Sequence, residues 1–488
     1  MPVTAAPTDL IPDTGLLIGE TRLTDPTGGV HQHVYAGDGR PTAEVPLGGA
    51  AEMDTAVRTA RAAQAAWAAT RGNVRRDLLL RLADLVERDA ADLAGLQTLE
   101  NGCPRQFASA MPGVAIEHLR YYAGWADKIG GQVVPTWPVR AVDYTLDEPY
   151  GVVALIIPWN GPLVSVAQML APVLAAGNVV VLKPAELAPF TALRIGELAL
   201  EAGFPPGVVN VVPGAAVGGE ALVRHPEIGK VHFTGGGSTA RKILAAAAEH
   251  LVPVGLELGG KSAHVVFGDA DIRMAARLAM SGVVALSGQG CANGTRVLVH
   301  SSVYDEMLRT VTARLARVPV GDPAQERTMM GPVVSDSACQ RILGVVERAR
   351  GARHGRLLSG GERIGGDLAA GYFIGPTVFA DVDPASELAQ EEIFGPVLAF
   401  TPFDSEEEAL RLANGTRYGL GAYLHTTDLR TAHRVSRAVA AGSVWVNGVP
   451  GVLPSAPFGG VRQSGWGRIG GEAGVREFLR PKNVWIAS

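Results

Sequence analysis

The chain has 488 residues, with 43 basic against 48 acidic side chains and a net charge of −5. That balance leaves no electrostatic footprint for nucleic acid or for an anionic membrane surface, so neither is expected as a partner. A chain of this length buries roughly three-quarters of its unfolded surface, enough for two or three domains without a disulfide or metal staple.

The N-terminal MPVTAAPTDLIPDTG has no basic region followed by an apolar run, so no signal peptide is read there and a cytoplasmic location is expected. Residues 54–96 are rich in alanine, leucine and arginine at helical spacing and predict two amphipathic helices. The stretch 125–148 is broken by Gly130, Gly131, Pro135 and Pro138 and resumes as a strand, AVDYTL. With the tail 481–488 it is expected to form an arm that pairs with a neighbouring subunit. No charge occurs from Tyr150 to Leu182, longer than the roughly 20 residues of a membrane span. Pro158, Asn160, Gly161 and Pro162, and later Pro172, Gly177 and Asn178, interrupt it and divide it instead into a strand, a loop, a buried helix and a second strand.

From there strands and helices alternate. Strands are expected at 151–157, 178–182, 208–212 and 230–234, with helices at 163–176, 188–202, 216–224 and 238–250. A second series after Leu258 has strands at 263–267, 296–300, 396–402, 420–424 and 443–447. Its helices are expected at 271–287, 303–317, 335–350, 405–413 and 428–441. Short apolar strands with helical crossovers imply an α/β fold of two doubly wound parallel-sheet domains, divided near Glu257–Lys261. Charged residues make up only 19% of the chain, against about 25% in soluble domains, so part of the surface is expected to face other subunits.

Four local patterns carry chemistry. The turn Thr234-Gly235-Gly236-Gly237-Ser238-Thr239-Ala240 follows a strand and opens a helix, where a dinucleotide pyrophosphate meets free N–H groups. A tight strand-to-helix turn explains it equally well. Lys183-Pro184-Ala185-Glu186 lies past the second strand, where a doubly wound fold grips an adenosine ribose, or it is a solvated charge pair. Cys291, in Gly288-Gln289-Gly290-Cys291-Ala292-Asn293-Gly294, has small neighbours that leave its sulfur approachable. A small buried hydrophobe is the alternative there, and it is the reading for Cys103 and Cys339. The three cysteines form no CxxC pair and have no histidine at metal spacing, so no metal is expected. Asn160, between Pro158 and Pro162, is suited to donating to a developing oxyanion or is a turn asparagine.

PWNGP, KPAE, ELGGKS (257–262), GQGCANGTR, EEIFGPV (391–397) and PFGGVRQSGWGR (457–468) occur in register across nearly the whole chain. Together they resemble the successive motifs of the NAD(P)-dependent aldehyde dehydrogenase superfamily. The resemblance implies Cys291 as nucleophile, Asn160 as oxyanion donor and Glu257 as the base that activates the hydrolytic water. Cofactor contacts are implied at Ile156, Pro158, Trp159, Lys183, Glu186, Gly235, Gly236, Ser238, Leu258, Glu392 and Phe394, with Lys183 and Glu186 on ribose and Glu392 and Phe394 by the nicotinamide. NAD is the expected cofactor, because Glu186 repels a 2′-phosphate, while Lys183 keeps NADP open. The implied division is 1–124 with 149–258 for the cofactor, 259–465 for the cysteine, and 125–148 with 466–488 as an oligomerisation arm of a homodimer or homotetramer.

Two departures stand out. Gly236 and Ala240 occupy places that many members fill with serine and glycine, and Ile469 stands where many carry a proton-relaying glutamate. The positions implied at the substrate entrance are Gly161, Val164, Ser165, Gln168, Gly290, Ala292, Val452, Leu453 and Phe458. None is cationic, nor is any residue in 448–458, so a bulky aliphatic, terpenoid or aromatic aldehyde is expected. A semialdehyde dehydrogenase and a CoA-acylating enzyme are the alternatives within the superfamily, and a cysteine esterase or thioesterase is the alternative outside it.

Overall fold

A computed structural model describes residues 6–448 and 451–487; the first five residues, two within 448–458 and Ser488 of the tail lie outside the described residues. Two sheets organise the chain. The first runs, edge to edge, 465–466, Val254–Leu258, Ile228–Gly235, Val152–Ile156, Val179–Lys183, Val209–Val211, Leu16–Ile18 and Thr21–Leu23. Its five central strands are parallel and its edges antiparallel. The strands Val152–Ile156 and Val179–Lys183 are buried at every residue, which is why they read as unbroken apolar runs rather than alternating ones.

The second sheet runs Arg356–Ser359, Thr377–Ala380, Val397–Phe403, Arg296–His300, Ala263–Val266, Gly421–His425 and Ser443–Val446, parallel except at the first pair. Only Gly259–Ser262 separates the last parallel strand of the first sheet from a central strand of the second. That short joint brings the carboxyl end of one sheet against the other. The uncharged stretch folds as a buried helix, Pro162–Ala175, between two strands of the first sheet. Among the described residues no helix is long and apolar enough to cross a membrane.

Several expectations are corrected. Residues 50–101 form three helices rather than two, Ala50–Ala69, Gly72–Arg88 and Ala90–Asn101, because the chain turns at Thr70–Arg71 and again at Asp89. The helix expected to reach 287 ends at Val284. The hairpin Val30–Tyr35 with Arg40–Pro46, the edge strands of the first sheet and Arg356–Ser359 at one edge of the second carried no clear signal, since short or half-exposed strands mix charge with apolar residues. The tail Leu479–Ala487 pairs along its whole length with Ala141–Pro149 of the same chain. Residues 465–466 belong to the first sheet and Gly471–Arg476 is a helix, so this ribbon is narrower than 466–488. Val142, Leu146, Trp485 and Ile486 on the ribbon are exposed.

Candidate active site

The cysteine loop is sharply bent and firmly tied. Leu286, Ser287 and Gly288 take φ of +50°, +53° and +77° in succession. For the two residues with a Cβ this left-handed backbone costs about 1–3 kcal/mol each, so neighbours must hold it. Ser287 Oγ donates to Gly331 O at 2.7 Å, Gln289 Nε2 donates to Leu286 O at 3.0 Å, and the Val334 N–H donates to Gln289 Oε1 at 3.0 Å. A Cβ on Gly288 would lie 2.1 Å from Gly395 O, so only glycine fits there. On the far side the Tyr423 hydroxyl donates to Ala292 O at 3.0 Å. Cys291 itself is half-buried.

Asn160 reaches this loop from the first sheet. Its Nδ2 donates to Gln289 O at 2.9 Å, and since an amide carries two N–H groups, one remains for another acceptor. Asn101 holds the Asn160 loop by donating to the carbonyls of Trp159 and Asn160, both at 3.1 Å. No pattern in the sequence pointed to Asn101 or to Tyr423. They become visible only when distant segments meet.

Glu257 lies on Val254–Leu258, a strand whose Leu256 and Leu258 point to the opposite face. It is 4% exposed, and neither carboxylate oxygen has a hydrogen-bond partner among the described residues. Burial pushes its pKa well above the ordinary carboxylate range; Arg468 opposes the shift and Glu477 adds to it. Burial, with the carboxylates of Glu392 and Glu257, likewise pushes the Cys291 thiol up to about 12. Burial therefore holds the resting sulfur toward its thiol form.

Glu392 is held by the Gly260 N–H, which donates to Oε1 at 3.0 Å. A Cβ on Gly259 would lie 2.0 Å from the other carboxylate oxygen, so the glycine pair of ELGGKS makes the space Glu392 occupies. Phe394 takes φ +51°, which sets its ring edge-on to Trp159 with centroids 5.5 Å apart. A cavity of about 400 Å³ opens beside these groups, lined by Gly236, Ser238, Leu258 and Glu392 together with Arg417 and Trp466. The helix Gly237–Ala247 begins at this cavity; no side chain caps it, and the space a Cβ on Gly236 would fill is empty. Its first amides are therefore uncovered, a donor set that fits a pyrophosphate. Trp466 lies within the motif PFGGVRQSGWGR but was not singled out there, and Arg417 belongs to none of the quoted motifs.

The other cofactor positions are more dispersed. Lys183 and Glu186 do not line that cavity. The Lys183 ammonium donates to the carbonyls of Gly214 and Pro184, and burial brings its pKa down to about 8. Ile156 is buried, Pro158 half-buried, and Gly235 packs on the ring of Phe233.

At the implied entrance, a Cβ on Gly161 would meet nothing within 4 Å. Val164 and Ser165 are half-buried on the first turn of Pro162–Ala175, with Gln168 buried below them. Gln168 Nε2 lies 3.3 Å from His118 Nε2, and His118 Nδ1 donates to Val114 O at 2.8 Å. A Cβ on Gly290 would press on the Asn293 amide at 2.7 Å. Ala292 and Val452 are half-buried, Leu453 is exposed, and Phe458 is buried, its backbone paired with Ile469.

Two doubly wound α/β sheets meeting at a tethered cysteine, with a nucleotide-sized cavity alongside, define the class of fold. Residues 25–484 match the aldehyde dehydrogenase family, and the chain belongs to it: an oxidoreductase that oxidises aldehydes. An aldehyde dehydrogenase of Emericella nidulans is 44% identical over 436 residues, 89% of this chain and 87% of that protein. A betaine aldehyde dehydrogenase of Cereibacter sphaeroides is 40% identical over 95% of both chains. Among solved structures, the NAD+ complex of an aldehyde dehydrogenase from Bacillus cereus superposes with a TM-score of 0.96 at 37% identity over 100% of both chains. The betaine aldehyde dehydrogenase of Staphylococcus aureus with NAD+ gives 0.96 at 32% identity, covering 98% of this chain and 96% of that one.

Proposed function

We propose that this chain oxidises a bulky apolar aldehyde to the carboxylic acid with NAD, using Cys291, Asn160 and Glu257. The observation that carries this reading is the buried Glu257 carboxylate, without a hydrogen-bond partner among the described residues and close enough to raise the Cys291 thiol. NAD held by the uncovered amides of Gly237–Ala247 and by Glu392 supplies the hydride acceptor and, in its oxidised form, a positive charge. Cys291 Sγ adds to the aldehyde carbon as its thiol proton passes to a water molecule. The second N–H of the Asn160 amide and the Cys291 backbone N–H hold the oxygen that gains charge, at about 3–4 kcal/mol per donor in comparable sites. Glu257, made more basic by burial, then takes a proton from the water that cleaves the thioester on Cys291.

The substrate class follows from the entrance positions. Gly161 leaves open space, and no cation stands among them to offset a distal carboxylate. Phe458 is their one aromatic ring, too little for a cage around a quaternary ammonium, so an apolar aldehyde is preferred over betaine aldehyde. Glu186 favours NAD over NADP. The first sheet is read as the cofactor domain and the second as the cysteine domain. The exposed apolar ribbon 141–149 with 479–487 is read as the contact of a homodimer or homotetramer, in the cytoplasm.

Initial rates of NADH production by wild type and Cys291→Ala on octanal, geranial, benzaldehyde, betaine aldehyde and succinic semialdehyde test this, without CoA and with NADP in parallel. Cys291-dependent oxidation of the apolar aldehydes with NAD is the expected result. Reaction with succinic semialdehyde or betaine aldehyde alone refutes the substrate class, and a need for CoA refutes the hydrolytic role of Glu257.

A further inference from the structure

The sheet face that carries Glu257 holds five buried polar atoms without a hydrogen-bond partner among the described residues. They are Glu257 Oε1 and Oε2, Thr234 Oγ1, and both ring nitrogens of His232. Register explains why they line up. Strands Val254–Leu258 and Ile228–Gly235 are parallel, with Glu257 opposite Thr234 and Gly255 opposite His232. Residues directly opposite one another share a face, and Lys230 comes next on that face along the second strand. Lys230 ends the row in a buried ion pair with Glu477 at 2.8 Å.

Three glycines clear the space between the two carboxylates. A Cβ on Gly255 would lie 2.6 Å from His232 Nδ1 and 2.8 Å from Glu477 Oε1, so imidazole and carboxylate converge on one point. A Cβ on Gly459 would lie 2.7 Å from Glu257 Oε1 and 2.8 Å from Gly467 O, and one on Gly467 would lie 3.0 Å from Glu477 Oε1. Buried polar atoms in folded proteins are rarely orphaned, and ordered water commonly serves those that lack a protein partner. A side chain at any of these glycines would occupy the space such water needs. The other direction is hydrocarbon: Ile469, directly after Arg468, is 5% exposed.

We infer that Glu257 discharges its proton along this face, through water and the His232 imidazole to Glu477 and then to solvent. The inference rests on Glu257 being the hydrolytic base proposed above. In each turnover the attacking water gives a proton to the Glu257 carboxylate as its oxygen bonds to the thioester carbon. That proton leaves the carboxylic acid for the acceptor nitrogen of His232 or a water beside it. His232 releases a proton from its other nitrogen, and Glu477 receives it and passes it to bulk water, so Glu257 returns to a carboxylate. Burial and the neighbouring Lys230 keep His232 neutral, with a pKa brought down to about 3, which leaves one donor and one acceptor nitrogen. The charged and titratable groups facing the route are Arg468 and Cys291 at the Glu257 end, and Lys230, Tyr150 and Arg480 around Glu477.

The test is single- and multiple-turnover kinetics of the full-length enzyme. Glu477→Gln keeps an acceptor for Lys230 but cannot carry a proton. It is expected to complete the first turnover and form the second thioester at the wild-type rate, releasing two NADH per active site, and then to turn over about tenfold or more slowly. Added imidazole buffer should restore that rate in proportion to its concentration, with KM for NAD unchanged. His232→Phe, which keeps a ring against Phe478, should behave alike and carries the test if Glu477→Gln does not fold. Wild-type kcat and pH profile in the variant measured, or a loss that also slows the first turnover and resists imidazole, overturns the route. Glu257→Gln run in parallel separates the two readings. If it turns over freely, the assigned base is wrong; if it stalls after one NADH while Glu477→Gln runs at the wild-type rate, only the route is wrong.

Discussion

Around Cys291 every turn of the chain is tethered: Ser287 to Gly331, Gln289 to Leu286 and Val334, Ala292 to Tyr423, with Asn160 tied to Gln289 from the other sheet. Around Glu257 the carboxylate has burial and no hydrogen bond from a protein group among the described residues. The contrast has a chemical reason. A nucleophile and its oxyanion donors act through geometry, and hydrogen bonds that lock a strained loop supply it. A base acts through proton affinity, and any donor to its carboxylate would lower the affinity that burial raises.

Substitutions break that contrast in a definite order. Cys291→Ala removes the reacting atom and should reduce NADH production by roughly 10⁴-fold or more, while fluorescence titration shows NADH still bound. Glu257→Gln should lower steady turnover by about 10²–10⁴-fold and spare the first release of NADH, since the thioester forms but does not hydrolyse. Asn160→Ala should cost about 10²–10³-fold in kcat with a smaller change in KM, because its donor acts on developing charge. Tyr423→Phe removes one tether from the loop, about 1 kcal/mol, and should slow both turnover and iodoacetamide alkylation of Cys291 by only a fewfold.

The smallest effect sharpens the comparison through stability. The folded-state pKa of Glu257 is raised above its ordinary value of 4.5. The native state therefore binds more protons than the unfolded chain between those two values, and stability is lost as pH rises through that window. Glu257→Gln, neutral at every pH, should melt on the order of 1–2 °C above wild type near neutral pH, and the gap should close as pH falls toward 4.5. A variant that melts lower than wild type at neutral pH would show that the carboxylate is satisfied, not strained, by its site.

Much of the fold was legible because its central strands are buried on both faces. GVVALII, NVVVL and KVHFT announce a parallel sheet by composition alone, and the helices between them follow from periodicity. The hairpin at 30–46 and the edge strand at 356–359 were not legible, since half-exposed strands lack that signal. The second bend in the N-terminal helices was missed for a different reason. Asp89 ends one helix and begins the next without a glycine or proline to mark the break. At the site, Cys291, Asn160 and Glu257 were picked out by residue type in motifs. Asn101 and Tyr423 were not, because a hydrogen bond between segments 59 and 131 residues apart leaves no local pattern.

The sequence by itself determined the order of strands and helices, the two-sheet architecture and the residue types offered for chemistry, because burial and periodicity are local properties of a chain. Only the tertiary structure decided their electrostatic states. The carboxyl of Glu257 and the thiol of Cys291 are both pushed up because strands and loops hundreds of residues apart bury them. The three glycines at 255, 459 and 467 illustrate the same division. Each reads as an ordinary turn or strand glycine in the sequence, and only their convergence in space opens the polar gap between Glu257 and Glu477.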